Sequence, residues 1–160
     1  MKLAFIDDKD GYYEFTDTAP AIWYTHLTPC ALRVPPLITR QAERWALIKA
    51  HRDNLQLNGG VKVGTNWFST TERAVGEYTV LAVRSAGLPD ATILRAGWRT
   101  MNGPLVDMTV LLIKQILDAG FTQIAAIDNV SQNHKASMLL SATPETYDFS
   151  TGWPVVYVPL

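Results

Sequence analysis

Two glycine-hinged units within residues 52–108 restrict the possible folds more than any other feature of this chain. The first runs from Arg52-Asp53 through Asn58-Gly59-Gly60 to Val61-Lys62-Val63, turns at Gly64-Thr65-Asn66, and returns as Trp67-Phe68-Ser69 before Thr70-Thr71-Glu72. The second runs from Trp98-Arg99-Thr100 through Met101-Asn102-Gly103-Pro104 to Leu105-Val106-Asp107-Met108 and then Thr109. In each, a tight turn separates two short extended runs, and a helix start follows. Neither unit carries a catalytic constellation. Both are structural punctuation, and they predict an α+β fold.

Helical periodicity fills the space around these units. The spacing predicts a helix over 37–57, stopped on its N-terminal side by Pro35-Pro36, with Thr39 able to cap it. Ala42, Trp45, Ile48, Arg52 and Leu55 fall on one face, and Asn58-Gly59-Gly60 ends the helix. Ser69 and Glu72 stand at capping-box spacing and open a second helix over about 70–85. Its inward residues are Ala74, Tyr78, Leu81 and Ala82, and Gly87-Leu88-Pro89 terminates it. Asn102-Gly103 is the strongest hairpin signal in the chain. Thr109 then caps a long helix over about 110–140, with Ile113, Ile116, Leu117, Gly120, Ile124, Ile127 and Met138 keeping the period up to the stop at Pro144. Trp45, Trp67 and Trp98 are expected in the core.

The two ends of the chain read differently. Residues 1–36 combine a hairpin, 2–6 and 12–15 about the Asp10-Gly11 turn, with an extended arm containing Pro20, Pro29 and Pro35-Pro36. Residues 143–160 form a strand-like, apolar C-terminal arm. The expected architecture is a three-helix body over 37–142 with two short β-hairpins and extended β-rich N- and C-terminal arms. Aromatic residues in such arms are typical interface anchors. Trp23, Tyr24, Trp153, Val155 and Tyr157 are the candidate partner-binding residues, with packing of the arms onto the helices as the competing outcome.

Composition narrows the function. The chain has 160 residues, enough for one domain with a real core, and 48% of them are hydrophobic. Its 14 basic and 15 acidic residues leave a net charge of -1 without a basic block, so neither nucleic acid nor an anionic membrane surface is an expected partner. Cys30 is the only cysteine, which excludes an intrachain disulfide and a cysteine-rich zinc site. His26 is its only nearby basic partner. The acidic run Asp7-Asp8-Lys9-Asp10 interrupts the N-terminal apolar stretch, so no signal peptide is expected. The same run lacks the alternating ligands and distal Glu of a calcium loop. The apolar run Val110-Leu111-Leu112-Ile113 is too short to span a bilayer, so membrane insertion is not expected either.

The remaining titratable groups suggest no site. His134 reads as a hydrogen-bonding packer, and His51 and Asp53 point in different directions on a helix. Asp107, Asp118 and Asp128 do not converge by spacing. Neither a phosphate-cradling loop nor a G-x-S-x-G elbow is present. No catalytic, cofactor-binding or metal-binding residue is expected.

Arg52-Asp53, Gly59-Gly60, Trp67-Phe68, Ser69 with Glu72, the run from Trp98 to Gly103, Thr109 and His134-Lys135-Ala136 occur in an order that resembles a domain family. The family, of unknown function (DUF4376-like), is found in bacteriophage tail and tail-fibre proteins. The resemblance covers roughly residues 40–139 and brings no enzymatic role with it. It implies a non-enzymatic tail or tail-fibre protein, made in the host cytoplasm and carried in the virion. Such a protein would bind other tail or fibre proteins, with homo-oligomerisation as a further possibility. Alternatives are a tail-fibre assembly chaperone absent from the virion, and a small tail-associated carbohydrate-binding or cell-wall-active module.

Overall fold

The computed structural model describes residues 35–157 together with three strand backbones nearer the N-terminus. Contacts divide the chain into two units, Met1–Thr39 and Arg40–Leu160.

In the first unit, β1 (Leu3–Ile6) pairs antiparallel with β2 (Tyr12–Phe15), Leu3 opposite Phe15 and Ile6 opposite Tyr12, and the Asp10-Gly11 turn between them lies outside the described residues. A third strand, β3 (Thr28–Cys30), falls within the stretch expected as an extended arm and pairs with the other side of β1 to give the order β2-β1-β3. Pro29 lies in it. An edge strand is where a residue without an N–H can join a sheet. Trp23 and Tyr24 lie outside the described residues.

The second unit is a helical body with two hairpins. Helix α1 (Leu37–Asn58) starts directly after Pro35-Pro36. Thr39 is therefore not its cap but a first-turn residue, whose N–H donates to the Pro36 carbonyl. Its buried positions are Ile48 and Leu55. Ala42 is exposed, and Trp45 and Arg52 are half-buried, so the apolar face is narrower than the period suggests. Strands β4 (Val61–Val63) and β5 (Asn66–Phe68) close about Gly64-Thr65, with Val61 opposite Phe68. Helix α2 (Glu72–Arg84) follows. Its N-cap is Thr71, whose hydroxyl accepts from the Ala74 N–H, so the capping box expected at Ser69 and Glu72 does not form. Ser69 instead braces the cap, its hydroxyl accepting from the Thr71 N–H.

Strands β6 (Ile93–Arg99) and β7 (Leu105–Thr109) form the second hairpin around Asn102-Gly103. The ladder shifts register between Arg95 and Trp98, where the Gly97 N–H donates to Asp107 Oδ1 at 3.0 Å. Thr109 caps α3 (Val110–Leu139) as expected, accepting from the Leu112 N–H. The chain then turns through a short 3-10 helix, Pro144–Thr146.

The main core joins the hairpins to α2 and α3: Val61, Phe68, Tyr78, Leu81, Trp98, Met108, Ile113 and Ile116. Period-two alternation on β5 sends Phe68 inward and leaves Trp67 half-buried. Of the three tryptophans expected in the core, only Trp98 is buried. Its ring lies 5.2 Å from that of Tyr78 and beneath the Arg95 guanidinium, 4.6 Å from the ring centre. Trp45 is half-buried under the Lys135 ammonium, 4.9 Å above its ring.

Candidate functional site

Two surfaces of the second unit merit description: the seat of the C-terminal segment, and an apolar face shared by α2 and α3.

Residues 147–157 form no strand. They follow α1 and α3, whose backbone groups are spent within the helices, so side chains rather than a ladder hold the segment. The Arg44 guanidinium donates to the Tyr147 carbonyl through Nε (2.9 Å) and Nη2, and lies 4.7 Å from the Phe149 ring centre. The Trp153 indole N–H donates to the Phe149 carbonyl at 2.6 Å. Its ring meets two imidazoles, His51 at 4.9 Å and His134 at 5.2 Å. His134 Nε2 lies 3.0 Å from the Thr151 carbonyl, which can only accept, so Nε2 carries the hydrogen. In the neutral ring, Nδ1 then accepts from the Tyr147 hydroxyl at 2.9 Å. Nearby, Arg40 pairs with Glu145 at 2.8 Å. The Glu145 carboxyl is held below its ordinary range, first by its own backbone N–H and then by Arg40.

The segment reaches the first hairpin at its far end. The Tyr157 N–H donates to the Gly59 carbonyl at 2.7 Å, and the Tyr157 ring lies 6.0 Å from that of Trp67. Val156 packs on Gly59 so closely that a Cβ there would come within 2.7 Å of Val156 Cγ1 and collide with the Leu55 carbonyl oxygen. Of the three candidate anchors in this arm, Trp153 and Tyr157 are half-buried against their own chain. Val155, at 79% exposed, points away.

The hairpins are locked to each other by a residue whose side chain the sequence did not single out. Asn102 Oδ1 accepts from the Trp67 N–H at 3.0 Å, and its Nδ2 donates to the Thr65 carbonyl at 3.2 Å. Beside it, the Met101 N–H donates to the Trp67 carbonyl at 2.8 Å.

The apolar face is the second surface. A groove of about 100 Å³ opens over the middle of α3, bounded by Gln56 of α1 and by residues 69–78. Leu117, Gly120, Phe121 and Ile124 line the α3 side, and Val75 and Tyr78 the α2 side. Phe121 is 72% exposed and Ile124 is exposed too, although the period had placed Ile124 inward. Val75 is exposed at the α2 edge of the groove, whereas Val80 lies on the other side of α2, beside Arg73, Glu77, Leu94 and Arg95. Tyr78, at the groove floor, is 2% exposed, and its hydroxyl has no hydrogen-bond partner among the described residues. Burial, reinforced by the Glu77 carboxylate, pushes this phenol up to about 12. Glu77 is itself held below the usual carboxylate range by Arg73 and then Arg95. The signal for this face lies in the period itself: Phe121 stands about 80° around α3 from Ile113, so the apolar sector is wider than the Ile113–Ile116 stripe.

Helix α3 is long enough and, over an 18-residue stretch of mean hydropathy 1.5, apolar enough by length and composition to cross a membrane. The four-residue run considered from sequence understated it. Only 22% of the 18-residue stretch is buried, and the buried residues of the helix, Val110, Ile113, Ile116, Ile127, Ser131 and Met138, make the stripe that packs against β4, β7 and α2. Among the described residues, no three His, Cys, Asp or Glu side chains gather as a metal-binding group.

No curated protein and no solved structure matches this chain. A family match does cover residues 39–151, from the first turn of α1 to Thr151 beside His134. By that match the chain belongs to the domain-of-unknown-function family DUF4376.

Proposed function

We propose that this protein is a non-enzymatic structural or adaptor component of a bacteriophage tail or tail fibre, working by binding other tail proteins in the virion. The observation that carries the binding part is the apolar face between α2 and α3, where Val75, Phe121 and Ile124 stand exposed on a well-packed body. Contiguous apolar surface of this kind marks sites where other macromolecules dock. The use of His51 and His134 as packing groups for the C-terminal segment supports a structural rather than catalytic role for them. The tail context rests on the sequence resemblance described above.

Mass spectrometry of purified virions from a phage encoding this chain tests the reading. The protein is expected at stoichiometric levels among tail components, and a Phe121→Glu/Val75→Glu variant is expected to be lost from particles while remaining folded. A protein needed for fibre assembly but absent from the particle would be a chaperone instead. Turnover of peptidoglycan or polysaccharide that disappears in His134→Ala would overturn the non-enzymatic reading.

A further inference from the structure

The charges flanking the apolar face of α3 have a symmetry that suggests its occupant. Lys114, Phe121 and Asp128 are spaced by seven residues. Seven residues are about 20° short of two full turns, so the three lie along one line of the helix. Phe121 stands at the middle, with a cation about 10 Å before it and an anion about 10 Å after it. The Lys114 and Asp128 side chains are 56% and 49% exposed. Each already has a companion of opposite charge, Asp90 at 2.7 Å from Lys114 and Arg52 at 3.9 Å from Asp128.

We propose that two copies of this chain pair through α3, antiparallel, about a two-fold axis at Phe121. Antiparallel pairing sets Lys114 of each copy opposite Asp128 of the other. The rims then read Asp90, Lys114, Asp128, Arg52 across the interface, alternating in sign, and symmetry writes this chain twice. Parallel pairing would set Lys114 against Lys114 and Asp128 against Asp128, so the charges select the antiparallel arrangement. Between the charged rims, Leu117 of one copy comes level with Ala125 of the other, and the two Phe121 rings meet at the axis beside the groove at Gly120. Nothing stands within 4 Å above Gly120, which leaves room for close approach at the groove. This pairing rests on the same face to which the proposed tail binding was assigned and names a second copy as its occupant; a dimer in solution of a chain absent from virions would separate the two readings.

Sedimentation equilibrium of the full chain, with far-UV circular dichroism on every variant, tests the pairing. A dimer is expected, and Phe121→Glu should weaken it at least about tenfold. Lys114→Glu and Asp128→Lys should each weaken it several-fold, and combining them should restore it to within roughly threefold of the parent, because the swapped pair is again complementary. A chain that stays monomeric at roughly 100 µM overturns the proposal. So does a dimer indifferent to Phe121→Glu, or a double variant no better than the worse single one. Flotation with neutral phosphatidylcholine vesicles provides a separate arm: a monomer that binds them through Phe121 would assign the face to a bilayer and overturn the pairing.

Discussion

Tyr78 is the residue whose chemistry is most at odds with its surroundings. Its hydroxyl is buried without a partner among the described residues, so the phenol is held neutral up to about 12, against 10.0 for a free tyrosine. Below pH 10 it is protonated in both folded and unfolded chains and leaves stability unchanged with pH. Between 10 and 12 the unfolded chain ionises and the folded one does not, so stability falls as pH rises. The loss attributable to Tyr78 should reach about 2–3 kcal/mol by pH 12. Tyr78→Phe should remove that dependence and leave neutral-pH stability unchanged or up to about 1 kcal/mol higher. Denaturant midpoints of both proteins from pH 8 to 12 would check this. Tryptophan truncation should separate buried from half-buried rings in the same assay. Trp98→Ala, losing its contacts with Tyr78 and Arg95, should cost about 3–5 kcal/mol, and Trp67→Ala distinctly less. Equal losses would contradict the alternation of β5.

The elements were legible in the sequence wherever local chemistry decided them. Thr109, the Asn102-Gly103 turn and the glycine-hinged first hairpin fall where their residue types require. Misreadings came where two local solutions compete. Ser69 and Thr71 can both cap α2, and Thr71 wins with Ser69 as its brace. The apolar C-terminal residues could equally extend a sheet or cover helices. Which happens depends on Arg44, His51 and His134, all distant in sequence. Gly59 tests the outcome seen here. Gly59→Ala should drive Val156 off the helix end and destabilise the fold by about 1–3 kcal/mol, the usual cost of forced overpacking. Faster proteolysis after Tyr147 and a shifted Trp153 emission would report it. Removal of residues 147–160 should likewise lower the melting temperature, since it uncovers both imidazoles and Gly59. An unchanged melting temperature would mean that the segment contributes nothing to the fold.

At the scale of the molecule, the candidate site was the least legible part, because exposure is a property of the assembled body. Phe121 and Val75 belong to ordinary amphipathic helices until α1 and α2 stop short of each other and leave α3 uncovered between them. The first hairpin shows a different dependence on the whole. Its strands are only three residues each. A lone hairpin is marginal in water. Its backbone groups at Thr65 and Trp67 find their partners only in Asn102 and Met101, across a loop that includes the whole of α2. That loop must close before the clamp exists, so β4 and β5 should be among the last parts to consolidate during folding. Asn102→Ala should then speed unfolding while leaving the folding rate nearly unchanged, a signature readable from the two arms of a chevron plot.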